Sequence, residues 1–303
     1  MKATQERGSR VLKVDDFQGT LPTRALYVYL PPGYDDDGDR RYPVLYMHDG
    51  QNCFEAFAEE SFAGSWKADL VADRLIAAGQ MQPVIIVGVS NSAHQRMAEY
   101  LPPYATFVPP VGAADKQRSY RRLSVVEGQA DRTFKYYRDE VAVYVRERFR
   151  VLVGREHTAT CGSSLGGLFS AYIAWEHPEF ARHHGLMSPS FWITCIYPDR
   201  PEGPFEAIER MRSGKPRDVR LWLDSGTANN HHGDGSDGLE ITRMARDALL
   251  ENGYSLGVDF RYYQDVNGIH HESSWSARLP KVYRFLSPSD LGTGHAATLR
   301  DPL

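Results

Sequence analysis

Short apolar runs alternate along this chain with stretches in which apolar positions recur at helical spacing. Residues 25–30, 42–47, 83–89, 158–161, 219–223 and 259–263 read as strands. The 83–89 run is almost wholly apolar and rich in β-branched residues, as a strand covered on both faces must be. Between the strands, Trp66, Leu70, Val71, Leu75 and Ile76 share one helical face, with Gly79 suited to its C-terminus. Phe134, Tyr137, Val141, Val145 and Phe149 line a second helix, and Lys135, Arg138, Asp139, Glu140, Arg146 and Glu147 fill much of its solvated side. Residues 168–175 continue helically after the 158–161 strand. Asp237 and Glu240 stand at capping-box spacing before a helix through Ile241, Met244, Ala245, Ala248 and Leu249, which Asn252-Gly253 ends. A last helix carries Trp275, Leu279, Val282 and Phe285.

Strands alternating with helices predict an α/β fold, a mostly parallel central sheet with helices on both faces. Residues 1–24 read as an N-terminal arm or edge element, 25–287 as one domain, and 288–303 as a C-terminal tail. Within the domain, 91–128 is irregular and proline-rich. A loop this long inside a compact domain is expected to be a lid or substrate rim.

Composition narrows the function classes. The chain has 303 residues, 42% hydrophobic and 24% charged, as ordinary globular domains do. A net charge of −4 makes no electrostatic case for nucleic acid or an anionic membrane as partner. Cys53, Cys161 and Cys195 form neither a disulfide framework nor a zinc-ligand spacing. The acidic turn 35–39 lacks the spacing of a calcium loop, so no metal and no cofactor are expected. The first residues carry no apolar signal core, and no run reaches membrane-spanning length. The expected location is cytoplasmic, although a chain trimmed of a signal peptide would read the same. Oligomeric state is not legible.

Chemistry enters at Gly162-Ser163-Ser164-Leu165-Gly166. The motif is Gly-x-Ser-x-Gly, with a strand before it and a helix after it, as a nucleophile elbow requires. Ser164 would hold a strained backbone, with glycines where a side chain would strike neighbouring backbone. A serine hydroxyl needs a base to take its proton. Acidic residues follow the 219–223 strand, and a histidine pair, His270-His271, follows the 259–263 strand. That is the order nucleophile, acid, histidine.

On these residues the chain resembles the esterase D-type family of α/β-hydrolases, which includes enterochelin esterases, feruloyl esterases, S-formylglutathione hydrolases and mycolyltransferases. The resemblance covers about 25–287. It is carried by 42–52 (YPVLYMHDGQN), 83–89, Arg96 with Glu99-Tyr100, 162–167, 188–192 (SPSFW), 223–227 (LDSGT) and 268–275 (GIHHESSW). It implies an α/β-hydrolase fold and a carboxylic ester hydrolase working on a small-molecule ester through an acyl-enzyme. Ser164 would be the nucleophile and His270 the general base, preferred over His271 because Trp275 stands five residues beyond it. The backbone N–H groups of Gln51 and Leu165 would form the oxyanion hole.

One position departs from the family. Its acid usually lies three residues after the glycine of the 223–227 turn, and Asn229 stands there. Asp224 at the strand end, a carboxylate of the following loop (Asp234, Asp237 or Glu240), or a Ser164–His270 dyad would then serve. Asp224 or the dyad is preferred, because Asp237 and Glu240 have helix capping as their explanation. Acyl transfer to another acceptor remains open, as does a non-catalytic binding protein on a decayed scaffold. Tyr100 and Trp192 are the expected substrate-binding aromatics, among Tyr104, Phe107 and Phe191.

Overall fold

The computed structural model describes residues 8–61, 63–108, 124–197, 202–228 and 237–287. In chain order its elements are β1 (Arg10–Phe17), β2 (Arg24–Leu30), β3 (Val44–His48), α1 (Ala68–Ala77), β4 (Ile85–Val89), α2 (Arg96–Tyr100), β5 (Thr106–Phe107) and β6 (Val126–Glu127). A long helix follows, α3 (Ala130–Tyr136), passing through a π turn at Tyr137–Val141 into α4 (Ala142–Arg148). Then come β7 (Thr158–Ser163), α5 (Leu165–Glu176), β8 (His183–Met187), α6 (Glu206–Ser213), β9 (Arg220–Gly226), α7 (Leu239–Glu251), β10 (Phe260–Asp265) and α8 (Glu272–Leu286).

Eight strands form one sheet in the order β1-β2-β4-β3-β7-β8-β9-β10. β2 pairs antiparallel with β1 and β4, and every later pairing is parallel. This is the α/β arrangement that the alternating pattern predicts. Successive strand side chains point to opposite faces, and here both faces are covered. Leu26, Val28, Tyr46, Val87 and Leu223 enter one core with α3, α4, α5, α6 and α7. Tyr27, Tyr29, Met47, Ile86 and Trp222 enter the other with α1 and α8. Double coverage is why β4 reads as an unbroken apolar run. Of the sheet's two edge strands, β1 and β10, β1 carries paired charges, Arg10 with Asp35 and Lys13 with Glu60, which discourages pairing with another chain.

Several elements differ from the periodicity. Trp66 is not part of α1. It is buried ahead of the helix, its ring 5.8 Å from that of Trp275, and Lys67 breaks the path with φ 57°. β8 has no apolar signature because it opens with His183-His184. His184 is nonetheless buried, its Nδ1 paired with Thr160 Oγ1 at 2.7 Å and its Nε2 with the Ala181 carbonyl at 3.0 Å. Burial pushes its pKa down to about 3, so the ring is neutral and fits the core. Part of the 91–128 stretch is ordered secondary structure, α2 and the β5–β6 hairpin; 109–123, like the tail 288–303, lies outside the described residues.

Candidate active site

Parallel strands ending side by side bring several loops to one edge of the sheet, the usual ligand side of an open α/β sheet. β7 ends there at Ser163 and α5 starts at Leu165, leaving Ser164 alone to reverse the chain. Its φ is 57° and ψ −122°, a region that costs a non-glycine residue about 1–3 kcal/mol. Backbone bonds hold it. The Ser164 N–H donates to the Met187 carbonyl at 3.0 Å, and the Ser164 carbonyl accepts from Leu168 and Ser190, each at 3.0 Å. At Gly162 a Cβ would lie 2.7 Å from the Gly166 backbone and from His48, so the turn excludes a side chain there.

Ser164 Oγ lies 2.9 Å from His270 Nε2 and 3.1 Å from Ser190 Oγ. On the other side of the ring, His270 Nδ1 meets Asp237 Oδ1. Asp237 is 2% exposed, and its Oδ2 accepts from Ser188 Oγ and, at 2.6 Å, from the Gly226 N–H. Burial alone would raise this carboxyl, but the bonds from His270, Ser188 and Gly226 outweigh it and hold it below the ordinary carboxylate range. Trp275 fixes the other side. Its ring lies edge-on to His270 at 5.0 Å, and its Nε1 donates to Ser188 Oγ at 3.1 Å.

The carboxylate on His270 is therefore Asp237, not Asp224, and the expectation for Asp224 is corrected. Asp224 is already taken: Trp222 Nε1 donates to it at 2.6 Å, the Ser188 N–H at 3.0 Å and Arg278 Nη2 at 2.9 Å. Burial holds its carboxyl above the ordinary range despite Arg278. The capping argument against Asp237 fails because Gly238, with φ 69°, is the N-cap of α7 and makes no side-chain bond. Asn229 and Asp234 lie outside the described residues.

The His48–Gln51 turn packs against the elbow. A Cβ on Gly166 would be 3.2 Å from His48 and 3.3 Å from Asp49. His48 is buried, its ring between Tyr137 OH and Ser170 Oγ at 3.0 Å each, and burial pushes its pKa down to about 3. Asp49 has φ 58°. Arg96 clamps its carboxylate through two bonds, at 2.8 and 2.7 Å, and Asn91 Nδ2 adds a third at 2.5 Å. Gln51 and Leu165 each sit in the first turn of a helix, a 3₁₀ helix and α5, where N–H groups have no intrahelical acceptor. Gly50 lets this turn lie on β4, since a Cβ there would be 2.4 Å from the Gly88 backbone. Gly50→Ala is accordingly expected to lower stability by about 2–3 kcal/mol. Urea unfolding at the wild-type midpoint would rule that out.

The two expected substrate aromatics part company. Tyr100 is corrected: it is 1% exposed, stacked on Phe169 at 5.2 Å, with its hydroxyl accepting from the Asp49 N–H at 3.2 Å. It supports the turn and offers no face to a ligand. Trp192 is 40% exposed and lies edge-on to Phe107 at 6.3 Å. Ser188 and Ser190 lie in the 188–192 motif, which assigns neither a role, and nothing in local pattern marks Arg278. Among the described residues, no group of three or more His, Cys, Asp or Glu is arranged to hold a metal ion.

A family model described as "Putative esterase" matches residues 22–286. An endo-1,4-beta-xylanase/feruloyl esterase of Xylanibacter ruminicola is 24% identical over 219 residues, covering 65% of this chain but only 26% of that protein. The chain thus spans about a quarter of that relative's length. Among solved structures, a ferulic acid esterase superposes with a TM-score of 0.64 at 20% identity, covering 94% of this chain and 100% of that one. The enterobactin esterase FES of Shigella flexneri gives 0.63 at 16% identity, covering 93% and 59%. At these identities the structural likenesses speak for the fold.

Proposed function

This chain belongs to the esterase family, and on that premise we propose that it hydrolyses a carboxylic ester through a serine acyl-enzyme. The observation that carries the reading is the line from Ser164 Oγ through His270 to the buried carboxylate of Asp237. His270 Nε2 takes the Ser164 proton as Oγ attacks the ester carbonyl carbon. Charge on the tetrahedral oxygen is met by the N–H groups of Gln51 and Leu165, donors worth on the order of 10²–10³ each in rate. His270 then gives its proton to the departing alkoxide, leaving Ser164 acylated. Water, deprotonated by the same ring, attacks the acyl carbon and releases the carboxylic acid. Asp237 stabilises the imidazolium formed in both halves.

Asn229 is the sole support for a decayed, non-catalytic scaffold, and that support lapses once Asp237 supplies the carboxylate. For the acyl group, a relative named for feruloyl esters suggests an aromatic acid. The half-exposed Trp192 beside Phe107 is a surface suited to such a ring. A fluorophosphonate probe tests the nucleophile. Peptide mass spectrometry is expected to find the phosphonyl adduct on Ser164, and folded protein that stays unlabelled there would sink the proposal.

A further inference from the structure

Behind the Asp237 carboxylate lies a buried guanidinium with three carboxylates around it. Arg278, on α8, is 1% exposed. Its Nη2 reaches Asp224 at 2.9 Å, Asp237 at 3.5 Å and Ser188 Oγ, and its Nη1 reaches Asp265 at 3.1 Å. Ser188 Oγ also receives the Trp275 indole N–H at 3.1 Å. Indole and guanidinium nitrogens can only donate. With both facing the Ser188 oxygen, its single proton has one remaining partner, Asp237 Oδ2. That oxygen also receives the Gly226 N–H at 2.6 Å. Oδ2, surrounded by donors, has no place for a proton of its own, and the same bonds help hold the carboxyl below the ordinary range, so Asp237 is ionised. Its other oxygen then requires a proton on His270 Nδ1.

Resting on the acyl-enzyme reading above, we infer that Arg278 is a positioning residue of the relay. Together with Trp275, it fixes the direction of the Ser188 hydroxyl, and through it the ionised Asp237 and the Nδ1–H form of His270. Only that form leaves the Nε2 lone pair for Ser164. Its charge also matters. Among the described residues, the charged or titratable groups around the Asp237–His270 pair include Arg278, Asp224 of β9, Asp265 of β10, and His271 and Glu272 at the start of α8. Arg278 is a permanent cation among these carboxylates. Removing it makes the surroundings more negative and favours protonated imidazole, so the acid limb of activity moves to higher pH.

The test compares pH profiles of kcat/KM for a p-nitrophenyl ester in wild type, Arg278→Met and Arg278→Lys, with imidazole ¹⁵N shifts of His270 read by NMR in the same proteins. Arg278→Met is expected to lower kcat about 10–100-fold, as loss of an outer-shell partner does, and to raise the acid limb by about one pH unit. Arg278→Lys keeps the charge and keeps the limb near its wild-type position. A folded Arg278→Met protein whose limb does not move overturns the inference. So does a wild-type His270 carrying its neutral-form proton on Nε2, a readout that stands even if Arg278→Met fails to fold. Wild-type labelling of Ser164 by fluorophosphonate separates the two levels. Its absence counts against the acyl-enzyme, while the ¹⁵N shifts score the relay alone.

Discussion

Replacing Ser164 with alanine is expected to lower kcat for a p-nitrophenyl ester by a factor on the order of 10⁵–10⁶, as nucleophile removal does in serine hydrolases. The residual rate would come from binding and from the oxyanion donors at Gln51 and Leu165. Stability carries a second signature. Alanine inherits the backbone at φ 57°, ψ −122°, and with it the strain. Glycine does not, so Ser164→Gly should be more stable than Ser164→Ala by about 1 kcal/mol while equally inactive. Urea unfolding of both variants measures the difference. Residual activity above about one hundredth of wild type in either would show that another group attacks the ester.

Asp237→Asn is the second large effect, and Asp224→Asn is its control. With the Ser188 hydroxyl and the Gly226 N–H both donating to Oδ2, the amide must turn its oxygen toward them. Its NH₂ then faces His270 Nδ1, forcing that nitrogen to accept and moving the ring proton to Nε2. Ser164 loses its base, and kcat is expected to fall about 10⁴-fold. Asp224 bonds to Trp222, Ser188 and Arg278 and not to His270, so Asp224→Asn leaves the Asp237–His270 bond in place. It weakens a buried pair with Arg278 at 2.9 Å, so stability should fall by a few kcal/mol while kcat of the folded protein stays within about tenfold of wild type. The reverse ranking of the two rate losses would return the acid role to Asp224.

The two carboxylates show how far sequence reading reaches. Ser164 was legible because a nucleophile elbow is a local object. Strand, turn and helix are contiguous, and the glycines at 162 and 166 report close backbone approach within a few residues. His270 was legible through the order of motifs and the spacing to Trp275. Asp237 is ambiguous in sequence, because its spacing to Glu240 also fits a capping box. Gly238 instead stands at the N-cap of α7, which frees the aspartate to turn toward His270. Tyr100 misled in a similar way. An aromatic in a loop-rich stretch reads as a cleft wall, whereas this one carries the turn around Asp49.

Periodicity alone established the α/β class, the mostly parallel sheet and its two-sided burial, because side-chain direction repeats every two residues in a strand and every 3.6 in a helix. The motifs added the elbow at Ser164 and the histidine that meets it. The carboxylate on His270 and the network behind it belonged to the tertiary structure. Asp237 lies 33 residues from His270 along the chain, and Arg278 lies 90 from Ser188. A carboxylate's role depends on which donors surround its two oxygens once β8, β9, β10 and α8 converge. Local spacing carries no record of that meeting, and only the packed sheet brings it about.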